Sequence, residues 1–155
     1  MAVSPNTNFT SGQILTAQQA NNWPRGVMGY YVATGNSTVT TTTAQITGTT
    51  ITWTAEANRL YRASFVCDYS QNTANAIIGF YLANSGGTTF YNAIANTVSV
   101  ANGFAQISMV HLFTTSAGST TRTVYADLSA GNATVRGTGG GGGAYTFIIE
   151  DVGPA

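Results

Sequence analysis

From residue 26 onward the apolar residues recur at period two and never at period 3.6, which constrains the fold more than any other feature of the chain. The clearest run is Arg59 to Ser70, RLYRASFVCDYS. Tyr61, Ala63, Phe65, Cys67 and Tyr69 fall on one side, and Arg62, Ser64 and Asp68 share the other with Leu60 and Val66. That is a half-buried strand, and its aromatic and β-branched content suits a pleated surface. Phe104 to Thr114 repeats the pattern, with Ala105, Ile107, Met109, His111 and Phe113 on one face. Thr120 to Ser129 sets Val124, Ala126 and Leu128 against Thr123, Tyr125 and Asp127. Val27 to Ala33, Val39 to Ile46, Thr49 to Thr54, Ala76 to Ala83, Thr88 to Ile94, Thr134 to Arg136 and Ala144 to Glu150 complete the predicted strands. Gly35-Asn36, Asn84 to Gly87, Ser116 to Ser119 and Gly131-Asn132 supply turns between them. Eight or so strands at this spacing in 155 residues predict an all-β domain over residues 26–155, an antiparallel β-sandwich of the jelly-roll kind.

Residues 1–25 read differently. Thr16 can cap a helix, with Gln19 completing a capping box and Leu15 stapling onto Ala20, while Trp23 and Pro24 end it after little more than one turn. A helix that short is not stable alone and needs a surface, either its own domain or another chain. As a docking arm, this segment would use Phe9, Ile14, Leu15, Trp23 and Arg25.

Charged residues make up 6% of the chain, with five basic and five acidic side chains that cancel. No basic stripe exists for nucleic acid and no polybasic patch for anionic lipid, so neither is an expected partner. Thr- and Ser-rich runs such as Ser37 to Thr43 and Thr47 to Thr54 replace the charge. Such uncharged, hydroxyl-rich strands fit a surface shared with neighbouring subunits. The start lacks the pattern of a signal peptide, and no apolar run reaches the length of a membrane span.

Candidate chemistry is sparse, and neither a cofactor nor a metal is expected. Cys67 is the single cysteine and falls on the inner face of its strand, as a small core hydrophobe would. His111, the single histidine, lies on the Met109 and Phe113 face and reads as a packed or interface residue. Two of Glu56, Asp68, Asp127, Glu150 and Asp151 could in principle form a glycosidase pair, but sequence cannot place them together, and no catalytic residue is assigned. Gly137 to Gly142 matches a dinucleotide-binding glycine pattern only formally, because a strand rather than a helix follows. Asn8, Asn36 and Asn132 open glycosylation triplets of the kind that an Asn- and Thr-rich chain produces by chance. Tyr30, Tyr91 and Tyr125 could stack on sugars or be ordinary strand residues. Loops around Gln71 to Asn75, Asn84 to Gly87 and Ala95 to Asn102 offer a distal surface carrying Tyr69, Asn72, Asn84, Tyr91 and Asn96.

Both ends of the chain resemble a known group. The opening FTSGQILTAQQANNWPRGVMGYY, through Phe9, Gly12, Leu15, Thr16, Ala17, Pro24, Arg25 and Gly26, is similar to the start of small structural proteins of tailed bacteriophages, especially those infecting actinobacteria. The ending FIIEDVGPA resembles the terminus of the same group, and EANRLYRASF, from Glu56 to Phe65, resembles its entry to the central strand. The resemblance implies a non-enzymatic virion component, a jelly-roll module assembled as a homotrimer and anchored by its N-terminal arm to other virion proteins. A minor tail or tail-fibre role is the first expectation. A head-decoration protein and a host-glycan-binding adhesion module are the alternatives.

Overall fold

A computed structural model describes residues 23–138 and 143–155. The helix expected from Thr16, the arm residues Phe9, Ile14 and Leu15, and most of the glycine run lie outside the described residues. All regular structure within them is strand: β1 (Gly26–Val32), β2 (Ser37–Val39), β3 (Ala44–Gln45), β4 (Ile51–Ala55), β5 (Arg59–Gln71), β6 (Ile77–Ala83), β7 (Phe90–Thr97), β8 (Phe104–Phe113), β9 (Gly118–Leu128), β10 (Ala133–Val135) and β11 (Thr146–Pro154). With no helix among these residues, none is long and apolar enough to cross a membrane.

Two antiparallel sheets face each other as a β-sandwich. In the six-stranded sheet β5 is central: β8 pairs along one edge, while β11 and then β10 pair along the other, with β1 outside β11 and β2 outside β10. In the five-stranded sheet the order is β7-β6-β9, and β3 and β4 both pair the far edge of β9. The single strand expected over Val39–Ile46 is two short ones. β2 bonds to β10 in one sheet and β3 to β9 in the other, so residues 40–43 carry the chain across the sandwich and cannot pair continuously.

The period-two alternation decides which side of each strand is dry. Tyr61, Ala63, Phe65, Cys67 and Tyr69 of β5 face Ile78, Phe80 and Leu82 of β6 and Val124, Ala126 and Leu128 of β9 across the core. Phe65 and Tyr69 both pack on the Phe80 ring, with centroids 5.9 and 5.7 Å away. Burying one such aromatic side chain stabilises the fold by roughly 1.5–3 kcal/mol. Gln71 ends β5 as a fully buried amide, and its Nε2 donates to the carbonyls of Thr73, Ala76 and Val98. It thereby holds the loops at 72–76 and 98–103 to one end of the sandwich, called here the far end. The turn at 56–58 and the loops at 84–89 and 114–117 lie at the near end, where β5 begins.

Candidate functional site

Three segments far apart in sequence converge at the near end. Arg59 opens β5, and its Nε and Nη2 donate to Asp151 Oδ2 and Oδ1 of β11 at 2.9 and 2.7 Å, with both side chains buried. The same Nη2 donates to the Trp23 carbonyl at 2.6 Å, so the chain leading into β1 is tied to this ion pair. Arg25 pairs with Glu56, and this hydrogen bond raises the pKa of the guanidinium above its ordinary value. Arg62 donates to Glu150 at 2.8 Å on the outer surface. The Ala155 amide donates to the Asn58 carbonyl at 2.9 Å. These contacts join the two terminal segments and the Glu56 to Phe65 segment at one corner. Of the expected arm residues, Trp23 is half exposed here and Arg25 is held by Glu56.

Beside this corner, the outer face of the six-stranded sheet is an apolar surface. Strand register aligns its side chains in rows across four strands: Val27, Glu150, Arg62 and Leu112; then Tyr30, Ile148, Ser64 and Val110; then Val32, Thr146, Val66 and Ser108. Tyr30 is 71% exposed, Val110 and Leu112 are each 55% exposed, and Val27 and Val32 are also exposed. The charges in these rows, Arg62 and Glu150, neutralise each other.

The outer face of the five-stranded sheet has different chemistry. Tyr81 of β6 and Tyr125 of β9 are register partners, and the Phe90 ring lies 5.0 Å from Tyr81 and 6.5 Å from Tyr125. Both tyrosines lie along the sheet because glycines make room for them. A Cβ on Gly79 would come within 2.3 Å of the Tyr81 hydroxyl, and one on Gly87, whose φ is +64°, within 2.6 Å of the Tyr125 ring. The Tyr81 hydroxyl donates to Asp127 Oδ1 at 3.0 Å, and Thr43 donates to Oδ2 at 2.6 Å. Burial first, and that bond to Asp127 second, raise the pKa of the Tyr81 phenol. Tyr125 donates to the Ser85 carbonyl at 3.2 Å.

Between the sheets, at the β7 and β8 edge, the Arg122 guanidinium is buried between the rings of Tyr91 and Phe113, 4.0 and 4.7 Å from their centroids. His111 stacks on Phe113 at 5.8 Å, a packed position of the kind its alternation predicts. Partial burial, and then the neighbouring Arg122 charge, lower its pKa. Burial raises the pKa of the Cys67 thiol well above its ordinary range.

The structure scatters the expected distal surface. Asn72 and Asn96 stand at the far end, Asn84 in the β6–β7 turn at the near end, and Tyr91 against Arg122. Tyr69 is not at the surface at all: it is fully buried against Phe80, because it shares the inner parity of β5. Of the candidate carboxylates, Glu56, Glu150 and Asp151 come together at the near-end corner, each bonded to an arginine, while Asp68 lies on the outer face of one sheet, where it accepts from the Gly143 amide, and Asp127 on the outer face of the other. No group of three His, Cys, Asp or Glu side chains suited to a metal ion occurs among the described residues. Sequence reasoning named Tyr125 but missed Tyr81 and Phe90, which join it in one cluster. Its signal was Gly79, a lone glycine inside the apolar run AIIGFYLA, which marks close approach of another group.

No protein-family model matches the chain, and no curated protein matches it. Solved structures do. Eiger TNF from S. frugiperda aligns at 7% identity and a TM-score of 0.43, over 79% of this chain and 95% of that one. A chain of the T13 IBDV viral particle aligns at 13% identity and 0.41, over 87% and 37%. A carbohydrate-binding module of Cellvibrio mixtus lichenase 5A, solved with cellotriose, aligns at 14% identity and 0.37, over 86% and 88%. At these identities and TM-scores the likenesses assign no function.

Proposed function

We propose that this chain is a non-enzymatic structural protein of a bacteriophage particle, a minor tail or tail-fibre component that assembles as a homotrimer and is anchored by its N-terminal arm. The observation that carries the reading is the outer face of the six-stranded sheet. Five exposed apolar side chains, Val27, Tyr30, Val32, Val110 and Leu112, stand in register there around one neutralised ion pair. A contiguous apolar face of this kind marks a protein interface, and identical subunits close it about a rotation axis. Trimeric order follows from the phage resemblance. The strand orders β1-β11-β5-β8 and β4-β9-β6-β7 support a jelly roll, two four-stranded sheets wound from Greek keys. Pairing of Glu56, Glu150 and Asp151 with arginines, and the distance of Asp68 and Asp127 from them on opposite outer faces, support a role without catalysis.

Sedimentation of the full chain tests the assembly. The expected result is a trimer that becomes a folded monomer when Val110→Lys and Leu112→Lys are combined, because each lysine would enter a dehydrated face without a partner. A wild-type monomer at micromolar concentration would overturn it. Immunogold labelling of particles then separates tail from head: label spread over the capsid makes this a decoration protein. A second reading, adhesion to a host glycan, is favoured by one observation, the aromatic cluster on the other sheet.

A further inference from the structure

We propose that the outer face of the five-stranded sheet is a glycan-binding platform, on which Tyr81, Phe90 and Tyr125 stack against neutral pyranose rings and Asp127 accepts hydrogen bonds from sugar hydroxyls. This rests on the adhesive reading above and gives it a site. The two outer faces of the sandwich differ in kind. The six-stranded sheet offers mainly branched aliphatic side chains, and its exposed rings, Tyr30 and Phe104, stand on separate strands, β1 and β8, with β11 and β5 between them. The five-stranded sheet offers three rings, with Phe90 5.0 Å from Tyr81 and 6.5 Å from Tyr125, beside Ala93, Ala95 and Thr121 at registered positions. Exposed Ala93 and Ala95 and half-buried Thr121 put no bulky side chain beside the cluster. A pyranose needs this combination, because its axial C–H groups pack on an aromatic face while its equatorial hydroxyls seek acceptors at the rim.

The two tyrosines are fixed for such a role. Their hydroxyls are engaged by Asp127 and by the Ser85 carbonyl, so each ring is held at both ends. The absent side chains of Gly79 and Gly87 let the rings settle along the sheet. Little rotamer freedom remains to be lost when a ligand arrives. Asp127 sets the ligand's charge. It accepts from two hydroxyls and pairs with no cation among the described residues, so its remaining lone pairs suit further hydroxyl donors and its charge repels a uronate or sialate. The ligand class is therefore a neutral oligosaccharide.

Affinity electrophoresis of the full chain tests this, with native gels containing β-1,4-glucan, galactan or arabinogalactan, and hyaluronan as the acidic comparison. Retardation is expected on at least one neutral polysaccharide and not on hyaluronan. Tyr81→Leu, Asp127→Asn and Gly79→Ala should each weaken it by about tenfold or more. Gly79→Ala keeps every aromatic side chain and the Asp127 carboxylate while displacing the Tyr81 ring and crowding Asp127 Oδ1, so it separates loss of platform geometry from loss of a residue. It also carries the test if Tyr81→Leu fails to fold. No retardation on any of the three neutral polysaccharides overturns the proposal, as does retardation unchanged by Asp127→Asn and Gly79→Ala. Sedimentation of the same variants keeps the two readings apart: a glycan-blind trimer leaves the assembly intact, and a retarded monomer leaves the platform intact.

Discussion

The guanidinium of Arg59 bonds twice to Asp151 and once to the Trp23 carbonyl, while Asp151 Oδ1 also accepts the Gly153 amide. These groups bond to one another while buried, and removing one leaves a buried charge without its counter-charge in a low dielectric. Asp151→Asn should therefore destabilise the fold by about 3–5 kcal/mol, seen as a lower urea midpoint with an unchanged slope. A surface pair offers a contrast: Glu150→Gln, which breaks the contact to half-exposed Arg62, should cost less than about 1 kcal/mol. Sequence alone does not reveal the first pair. Arg59 looks like any polar residue at the mouth of a strand, and its partner lies 92 positions away. The inner positions were legible by contrast, because Tyr61, Phe65 and Cys67 need only strand parity to be placed. Tyr69 obeys that same parity, which is why a surface role for it fails.

At the scale of elements, alternation located most strands to within a few residues, since a half-buried sheet imposes period two on its sequence. It could not say that residues 40–43 change sheets, because a crossing between two sheets leaves the polar, Thr-rich pattern of the segment unaltered. It also could not show that β7 and β8 end neighbouring edges of the sandwich with His111, Phe113, Tyr91 and Arg122 filling the space between. That edge carries a pH response. Folding lowers the pKa of His111 below its ordinary 6.5, so the folded state holds a proton there less readily than the unfolded chain. The stabilisation is complete above pH 6.5 and is lost as pH falls from there through the folded value. Urea midpoints measured between pH 7.5 and 5 should fall towards acid, and His111→Gln should flatten that slope. An unaltered slope in the variant would assign the acid sensitivity to carboxylates instead.

For the whole molecule, the sandwich described from Trp23 onward contains a contiguous core, and at the near-end corner Arg59 is held by Asp151 and the Trp23 carbonyl. Deleting residues 1–22 should leave a β domain that still unfolds cooperatively in urea but no longer enters particles. Collapse of the truncated protein would show instead that the arm completes the core. The start of the first strand was legible in the switch of pattern at residue 26. The two unlike outer faces were not, because each is assembled from strands that neighbour one another in space and not in sequence.

The Trp23 carbonyl rests on Arg59 and the Ala155 amide on Asn58, so both ends of the described chain leave from adjacent positions. This sets where a passenger can be carried. A peptide fused after Ala155 would emerge beside the point where the chain enters β1 from Trp23. One inserted at Asn102, an exposed left-handed turn residue at the opposite pole, would stand the length of β5 further out. Thirteen extended residues separate the two positions by about 40 Å. A display scaffold built from this protein would carry its cargo in that turn and leave its ends bare.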